Sequence, residues 1–344
     1  MSVAPTPEGF VVGVDVGGTK VAAGLVDLSG KIVAQARTPM VANDGPAGGL
    51  AAVTSVIDTV SAKVLNGPDA PPRLIHGIGI CSPGPLDPKT GVVLNPPNLP
   101  CWKNYPLAAE VARLYRVRVK LDNDANAAAL AECLWGAGRG YHNVFFAIIG
   151  TGIGTAIVFD GRIYHGRTGA AAEGGHLSID YRGPRCGCGK PGCIEALASG
   201  PAIARRAREK LESGHTSSML DLAAGKLSAV TCEMVGQANA SGDPLAAEVL
   251  RETIELLSFW LGNVVDLLEP DVIIIGGGVA TMLRPFFSEI HDRVPGCSVN
   301  PRCGEIPLLP AQYGEDAGIA GGAALCFDAA TTNRMEHPAI PSKG

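Results

Sequence analysis

The segment from His176 to Glu195 combines one His with three Cys, at Cys186, Cys188 and Cys193, among several glycines. Imidazole nitrogen and thiolate sulfur are ligands that zinc prefers, and four of them complete a tetrahedron. No position then remains for a metal-activated water, so we predict a structural zinc ion rather than a catalytic one. The same residues are also compatible with a disulfide or a redox pair.

Two carboxylates, Glu173 and Glu195, flank this cluster without belonging to the ligand set. A rigid metal site would hold these two carboxylates in fixed positions, where they could contact a bound molecule rather than the metal. His176 could bind zinc through one ring nitrogen and present the other to a substrate hydroxyl. The cluster therefore indicates a grip on a small polar substrate, with a purely structural knuckle as the alternative.

Two segments, 10–27 and 144–161, share an apolar strand, a small-residue turn, a second strand and an acidic end. Glycine-rich turns let backbone amides approach an anion closely. Neither turn has the spacing of a Walker A loop or a dinucleotide fingerprint, and each alone is typical of a plain hairpin. Together they predict two related domains that clamp a triphosphate. Asp15 would help to hold Mg²⁺ there.

Asn123 and Asp124 stand between a predicted strand, 117–121, and a predicted helix, 125–135. Aspartate is a favoured helix N-cap, which needs no catalytic role. A carboxylate here could also accept the proton of an attacking hydroxyl. Both roles can hold together, because a cap is a rigid mounting.

The elements that must position these residues alternate between helix and strand, so we predict an α/β fold. Helical patterns cover 44–65, 107–115, 201–211, 245–268 and 318–330, and apolar strands cover 74–81 and 271–275. With 344 residues the chain predicts two domains.

The composition excludes several classes of partner. A net charge of −5 leaves no basic footprint for nucleic acid. The longest apolar run, 144–159, is broken by glycines and is too short to span a bilayer, and the N-terminus lacks a signal-peptide pattern. We therefore expect a soluble, cytoplasmic protein with reduced cysteines outside the cluster.

Seven motifs occur in the order seen in the ROK family of repressors, open reading frames and kinases, and the chain resembles that family from Val11 to about Ala330. They are Asp15-Val-Gly-Gly-Thr-Lys20, Ser82-Pro-Gly-Pro85, Asn98-Leu-Pro, Asn123-Asp124, Gly150-Thr-Gly-Ile-Gly154, Glu173-x-x-His176 and the Cys-x-Cys run that ends at Glu195. Two residues depart from the usual family pattern, Cys101 after the Asn-Leu-Pro motif and Ala172 before Glu173.

The resemblance implies the actin-like ATPase fold (ribonuclease H-like, hexokinase and heat-shock class), with two related domains and a central cleft. We expect a small N-terminal domain over 1–121, completed by the C-terminal helix near 318–330. A larger domain over 122–317 would carry the zinc site, and 331–344 would be a frayed tail.

The resemblance also implies a role for each site residue. Asp124 would be the general base that activates a sugar hydroxyl for attack on the γ-phosphorus of ATP. The implied sugar contacts are Gly84, Asn98, Asn123, Asp124, Glu173, His176 and Glu195. The implied zinc ligands are His176, Cys186, Cys188 and Cys193. The implied nucleotide residues are Gly17, Gly18, Thr19, Lys20, Thr151, Gly152, Gly277 and Gly278, beside Asp15, which the paired turns predict for Mg²⁺.

The resulting expectation is an ATP-dependent hexose 6-kinase, with glucose as the first candidate substrate, acting as a homodimer. N-acetylmannosamine kinase, N-acetylglucosamine kinase and fructokinase are alternatives in the family, and a polyphosphate-dependent glucokinase is a third type. A sugar-responsive repressor is the non-enzyme alternative. It is disfavoured because only about ten residues precede the first hairpin, too few for a DNA-binding segment.

Overall fold

The computed structural model describes residues 9–40, 44–65 and 75–327. Contacts between Cα atoms divide the chain into two compact units. The first unit comprises Met1–His142, Ile157–Ala172 and Gln312–Gly344, and the second comprises Asn143–Ala156 and Glu173–Ala311.

The described strands form two five-stranded sheets and a small hairpin. They are β1 (Phe10–Val16), β2 (Lys20–Asp27), β3 (Ile32–Pro39), β4 (Ile75–Ser82), β5 (Leu86–Asp87), β6 (Val92–Val93), β7 (Val119–Asn123), β8 (Asn143–Ile149), β9 (Ile153–Phe159), β10 (Arg162–Ile163), β11 (Val272–Gly276) and β12 (Leu308–Pro310). The sheet orders are β3-β2-β1-β4-β7 and β10-β9-β8-β11-β12. The two orders correspond strand for strand, so the predicted repeat of two hairpins extends to both whole sheets.

The described α-helices are α1 (Gly45–Leu65), α2 (Leu107–Tyr115), α3 (Asp124–Trp135), α4 (Ile194–Ala198), α5 (Gly200–Glu212), α6 (Ser218–Leu222), α7 (Cys232–Ala240), α8 (Pro244–Leu268), α9 (Gly278–Leu283), α10 (Phe287–Arg293) and α11 (Ala317–Ala324). No helix in the described part of the chain has both the length and the apolar run that a membrane span requires.

Strand β1 shows how the first unit is built. Its alternate residues Val12, Val14 and Val16 belong to a core shared with α1 and α2, whereas Val11 faces α11. This is the period of two expected for a strand buried on both faces. The helix α11 is rich in Gly and Ala and approaches the sheet closely. A Cβ on Gly13 would lie 1.9 Å from the carbonyl oxygen of Ile319.

The carboxyl ends of three parallel strands meet in the first unit. β4 runs parallel to β1, and β7 runs parallel to β4. The register pairs Asp15 with Cys81 and Cys81 with Asp122. Side chains at this edge therefore share one end of the sheet, where ligands of open α/β sheets commonly bind.

The second unit is built around the parallel strands β8, β11 and β12 and the long helix α8. Every residue of β11 is buried. Asp243 caps α8, because its Oδ1 accepts a hydrogen bond from the Ala246 amide at 3.0 Å, and Pro244 occupies the first helical position. The indole of Trp260 on α8 is fully buried and packs edge-on against Phe145 at 5.7 Å between ring centroids.

The compact units differ from the predicted domains. Residues 122–142 and 157–172 belong to the first unit rather than to the larger domain predicted over 122–317. The reason is the packing of α3: Leu130 and Leu134 share a core with Ala320 and Ala324 of α11. The helix α11 ends at Ala324, and the predicted tail 331–344 lies outside the described residues.

Candidate functional site

In the first unit, Asp15 lies at the end of β1 beside the start of α11. A Cβ on Gly318 would lie 2.4 Å from the Asp15 carboxyl carbon, so glycine is required there for the close approach. Burial raises the pKa of Asp15, and the Cys81 thiol, 3.6 Å from its Oδ1, opposes this by hydrogen bonding. A partly buried carboxylate with few protein donors is suited to a cation.

The turn between β1 and β2 closes through a hydrogen bond of 2.9 Å from the Gly17 amide to the Lys20 carbonyl. Thr19 and Lys20 are exposed. A Cβ on Gly18 would lie only 2.8 Å from the Asn98 carbonyl oxygen. The predicted phosphate turn therefore packs directly on the main chain of a predicted sugar residue.

Asn123 and Asp124 start α3, and the residue that caps the helix differs from the predicted one. Asn123 is the N-cap, and its Oδ1 accepts from the Ala125 amide at 2.9 Å. Asp124, predicted as the cap, is instead the first helical residue, because the strand continues to Asn123. Its side chain is exposed, and its Oδ1 also accepts from the Ala125 amide, at 2.8 Å. Gly84 is close by, since a Cβ there would lie 3.8 Å from Asn123 Nδ2.

In the second unit, His176, Cys186, Cys188 and Cys193 bring one ligand atom each to within 4.8 Å of one another. Cys188 Sγ lies 3.6 Å from Cys193 Sγ, and His176 Nδ1 lies 3.6 Å from Cys186 Sγ. Tetrahedral Zn–S bonds of about 2.3 Å place neighbouring sulfurs about 3.8 Å apart. The donor set and its spacing therefore fit zinc. Because Nδ1 faces the thiols, Nε2 of the same ring points away from them.

Glu195 connects this cluster to the second hairpin. Its Oε1 lies 3.5 Å from Cys186 Sγ, and its Oε2 accepts a hydrogen bond from the Ile153 amide at 3.0 Å. A Cβ on Gly152 would lie 2.6 Å from Glu195 Oε2. The turn before β9 therefore has room for the carboxylate only because residue 152 is glycine.

Glu173 precedes a 3₁₀ turn, Gly174–His176, that is held from two sides. The Gly174 amide donates to Thr155 Oγ1 at 2.7 Å, and its carbonyl accepts from the Trp260 indole at 3.1 Å. Glu173 itself is exposed. Before it, Ala172 has φ of +62°, a left-handed conformation that favours glycine.

A cavity of about 620 Å³ in the second unit contains two of the predicted nucleotide residues, Thr151 and Gly278. Arg208, Thr231 and Glu233 also line it. Gly277, with φ of +96°, packs against the Ile149 main chain and turns the chain from β11 into α9. Arg208, Thr231 and Glu233 are not predictable from the sequence, because no local motif marks them and they come from α5 and the start of α7.

Comparison with known proteins identifies the family. The sequence profile of the ROK family matches residues 11–329. The chain belongs to the ROK family. The prediction from the motifs is thereby confirmed.

Three members illustrate the similarity. The chain is 34% identical to a glucokinase of Thermotoga maritima over 93% of its own length and 98% of the relative. It is 32% identical to a ROK glucokinase of Streptomyces griseus, solved with glucose and AMPPNP. That match covers 92% of this chain and 99% of the other, with a TM-score of 0.74. It is 28% identical to the xylose repressor of Bacillus subtilis, covering 93% of this chain and 77% of the repressor.

ROK membership and these structural neighbours confirm the predicted fold class. The fold is the actin-like ATPase fold of the hexokinase and heat-shock class, with two α/β units of related sheet order.

Proposed function

We propose that this ROK protein is a glucokinase, which transfers the γ-phosphoryl group of ATP to the 6-hydroxyl of glucose. Two relatives named glucokinase, each matched over more than nine-tenths of this chain, support the assignment. The AMPPNP and glucose held by the Streptomyces griseus protein are the corresponding nucleotide analogue and sugar.

One structural observation carries the proposal. In each unit a glycine turn of the phosphate-binding type contacts a predicted sugar residue: Gly18 packs on Asn98, and Gly152 packs on Glu195. An enzyme that joins a sugar hydroxyl to a phosphoryl group needs these two kinds of residue side by side. Most of the catalysis in phosphoryl transfer is positioning and charge stabilisation.

Asp124 would be the general base. Its carboxylate is exposed at the first turn of α3, where Asn123 caps the helix and fixes the local backbone. As the sugar oxygen attacks the γ-phosphorus, Asp124 accepts the hydroxyl proton and ADP leaves. Mg²⁺ bound with ATP would neutralise charge on the phosphates. Asp15 is the residue that would hold it.

We propose that His176, Cys186, Cys188 and Cys193 bind a structural zinc ion. The metal would supply rigidity, because protein atoms fill its four positions. His176 then presents Nε2 to the sugar. Glu195 keeps Oε1 against Cys186 of the cluster and Oε2 against the Ile153 amide of the hairpin. Residues that contact metal ligands in this way commonly orient those ligands.

The cavity that contains Thr151 and Gly278 would receive the adenosine part of ATP. Its volume of about 620 Å³ is in the range of small-molecule sites. Thr231 and Glu233 offer polar atoms for the base, and Arg208 offers a positive charge within the same lining.

A coupled assay with several hexoses and amino sugars, each with ATP or polyphosphate, tests the proposal. We expect the highest kcat/KM with glucose and ATP. A preference for N-acetylmannosamine would favour the kinase type represented by the 28% identical relative from Vibrio cholerae. Absence of turnover with every sugar would refute the kinase assignment. Light scattering tests the accompanying proposal of a homodimer.

A further inference from the structure

Asp122, the residue two positions before the proposed base, is almost completely buried at 4% exposure. Its carboxylate nevertheless accepts three hydrogen bonds. Oδ1 accepts from the Asn123 amide at 2.7 Å and from Asn126 Nδ2 at 2.9 Å. Oδ2 lies 2.5 Å from His165 Nε2. A buried carboxylate is tolerated only with such partners, so each one is constrained in return.

Two of these partners fix the start of α3. The Asn123 amide lies one peptide before Asp124, and Asn126 lies within the first turn of the helix. Asn123 Oδ1 also accepts a hydrogen bond from the Ala125 amide as the helix cap. Together these contacts hold the backbone on both sides of Asp124. The direction of the base therefore depends on Asp122.

The third partner, His165, belongs to the segment 157–172 of the same unit. Its carbonyl accepts from the amides of Gly169 and Ala171, at 3.1 and 3.3 Å, and so shapes the loop that ends at Ala172. Glu173, a proposed sugar contact, is the next residue in the chain. His165 thus joins the mounting of the base, through its side chain, to the loop that leads into Glu173, through its main chain.

We propose that Asp122 and His165 are a pair of positioning residues that hold the base, Asp124, and the loop 165–172 in register. The inference rests on the proposed kinase function. Neither residue needs to contact the substrate. The pair acts by fixing Asp124 in the direction of the sugar hydroxyl, and misplacement by about 1 Å costs on the order of 10²-fold in rate.

The test compares His165→Gln with His165→Asn in the full chain. Gln can place a side-chain N–H close to the position of His165 Nε2, whereas Asn is too short to reach Asp122. We expect the Asn variant to lose roughly 10- to 100-fold in kcat and to raise KM for glucose several-fold, with KM for ATP within about twofold of wild type. The Gln variant should recover most of kcat.

A matched control is His142→Gln. His142 forms a second His–Asp pair in the described part of the first unit, with Nδ1 3.0 Å from Asp160 Oδ1, but both side chains are largely exposed. Exposed pairs contribute little. The kinetic constants of this variant should therefore stay within about twofold of wild type.

Amide hydrogen exchange gives a readout that does not require activity. In His165→Asn, the Asn123 amide should exchange on the order of 10-fold faster, because its acceptor, the Asp122 carboxylate, loses the His165 side chain as a partner. The Gly169 and Ala171 amides, which donate to the carbonyl of residue 165, should also exchange faster, because their loop is no longer held to Asp122. Equal kinetics for the Asn and Gln variants, or a parallel rise of both KM values, would overturn the positioning role. So would unchanged exchange at all three amides. Wild-type protein that phosphorylates no sugar would instead refute the kinase function, and the exchange result would still decide the pair.

Discussion

The two hairpin turns occupy corresponding places in the two sheets but are held in different ways. Between β1 and β2, Gly18 packs against the main chain of Asn98. Between β8 and β9, Gly152 packs against the carboxylate of Glu195, which also bonds the Ile153 amide. The first turn is supported by a loop backbone, and the second by a side chain beside a metal-type cluster.

The difference predicts how each turn responds to loss of the metal or to a substitution nearby. A carbonyl in a loop moves only if the loop moves, whereas a carboxylate keeps its place only while its own mounting is intact. We therefore expect the second turn to depend on the metal and the first to be independent of it. The proposed base, Asp124, belongs to the first unit, whereas the His and Cys cluster belongs to the second. Substitution of Asp124 should therefore reduce turnover without changing the metal content.

The largest effect is expected for Asp124→Asn. The amide oxygen can still accept from the Ala125 amide, so the fold should persist, but the side chain can no longer take a proton. We expect kcat to fall by roughly 10²- to 10⁴-fold, with unchanged zinc content. Steady-state kinetics and circular dichroism check this. Turnover near the wild-type level would remove Asp124 from the mechanism.

The next effect is expected for Cys188→Ser, which removes one proposed zinc ligand. We expect loss of the metal by elemental analysis and a rise in KM for glucose of roughly 10- to 100-fold, since His176 and Glu195 lose their mounting. Cys297→Ser is the control, because Cys297 belongs to the same unit but not to the cluster. Full zinc occupancy in the Cys188 variant would contradict the ligand set.

Replacing the two turn glycines tests the comparison directly. Gly152→Ala pushes on Glu195, and Gly18→Ala pushes on the Asn98 carbonyl. We expect both to reduce kcat/KM on the order of 10-fold. Only Gly152→Ala should speed zinc release to a chelator. Equal release rates would show that the second turn and the cluster are not coupled.

A smaller effect concerns stability and pH at Asp15. Burial raises its pKa in the folded state, so the folded protein binds more protons than the unfolded chain between the two pKa values. Stability from this group therefore falls as pH rises through that window. Asp15→Asn should raise Tm at pH 7 by about 1–4 °C, and the gain should vanish near pH 4. A lower Tm at pH 7 would contradict the sign.

The smallest effect is expected for Ala172→Gly. The left-handed backbone at residue 172 costs a non-glycine residue about 1–2 kcal/mol, and the greater freedom of unfolded glycine offsets part of the gain. We expect Tm to rise by less than about 2 °C. Ala171→Gly, next to it, should lower Tm slightly. A fall in Tm for Ala172→Gly would contradict the proposal that the left-handed backbone at residue 172 is strained.

Several features were predictable because their determinants are close in sequence. Each hairpin is written in one run of residues, and the four zinc-type ligands fall between residues 176 and 193. The helix predicted over 245–268 is confirmed as Pro244–Leu268, since its cap and its apolar period are local. The N-cap of α3 is Asn123, one residue before the predicted Asp124, because an Asn-Asp pair offers two good caps and the end of β7 decides between them.

Local sequence was therefore sufficient to predict the family, the α/β class, the repeated hairpins and the clustering of one His with three Cys. The tertiary structure established which distant residues meet. Asp122 contacts His165 across 43 positions of sequence, and Glu195 contacts Ile153 across 42. It also decided that α3 belongs with the first unit and that Arg208 and Thr231 line the same cavity as Thr151. Such contacts form when distant elements pack to bury apolar surface, and no local spacing encodes them.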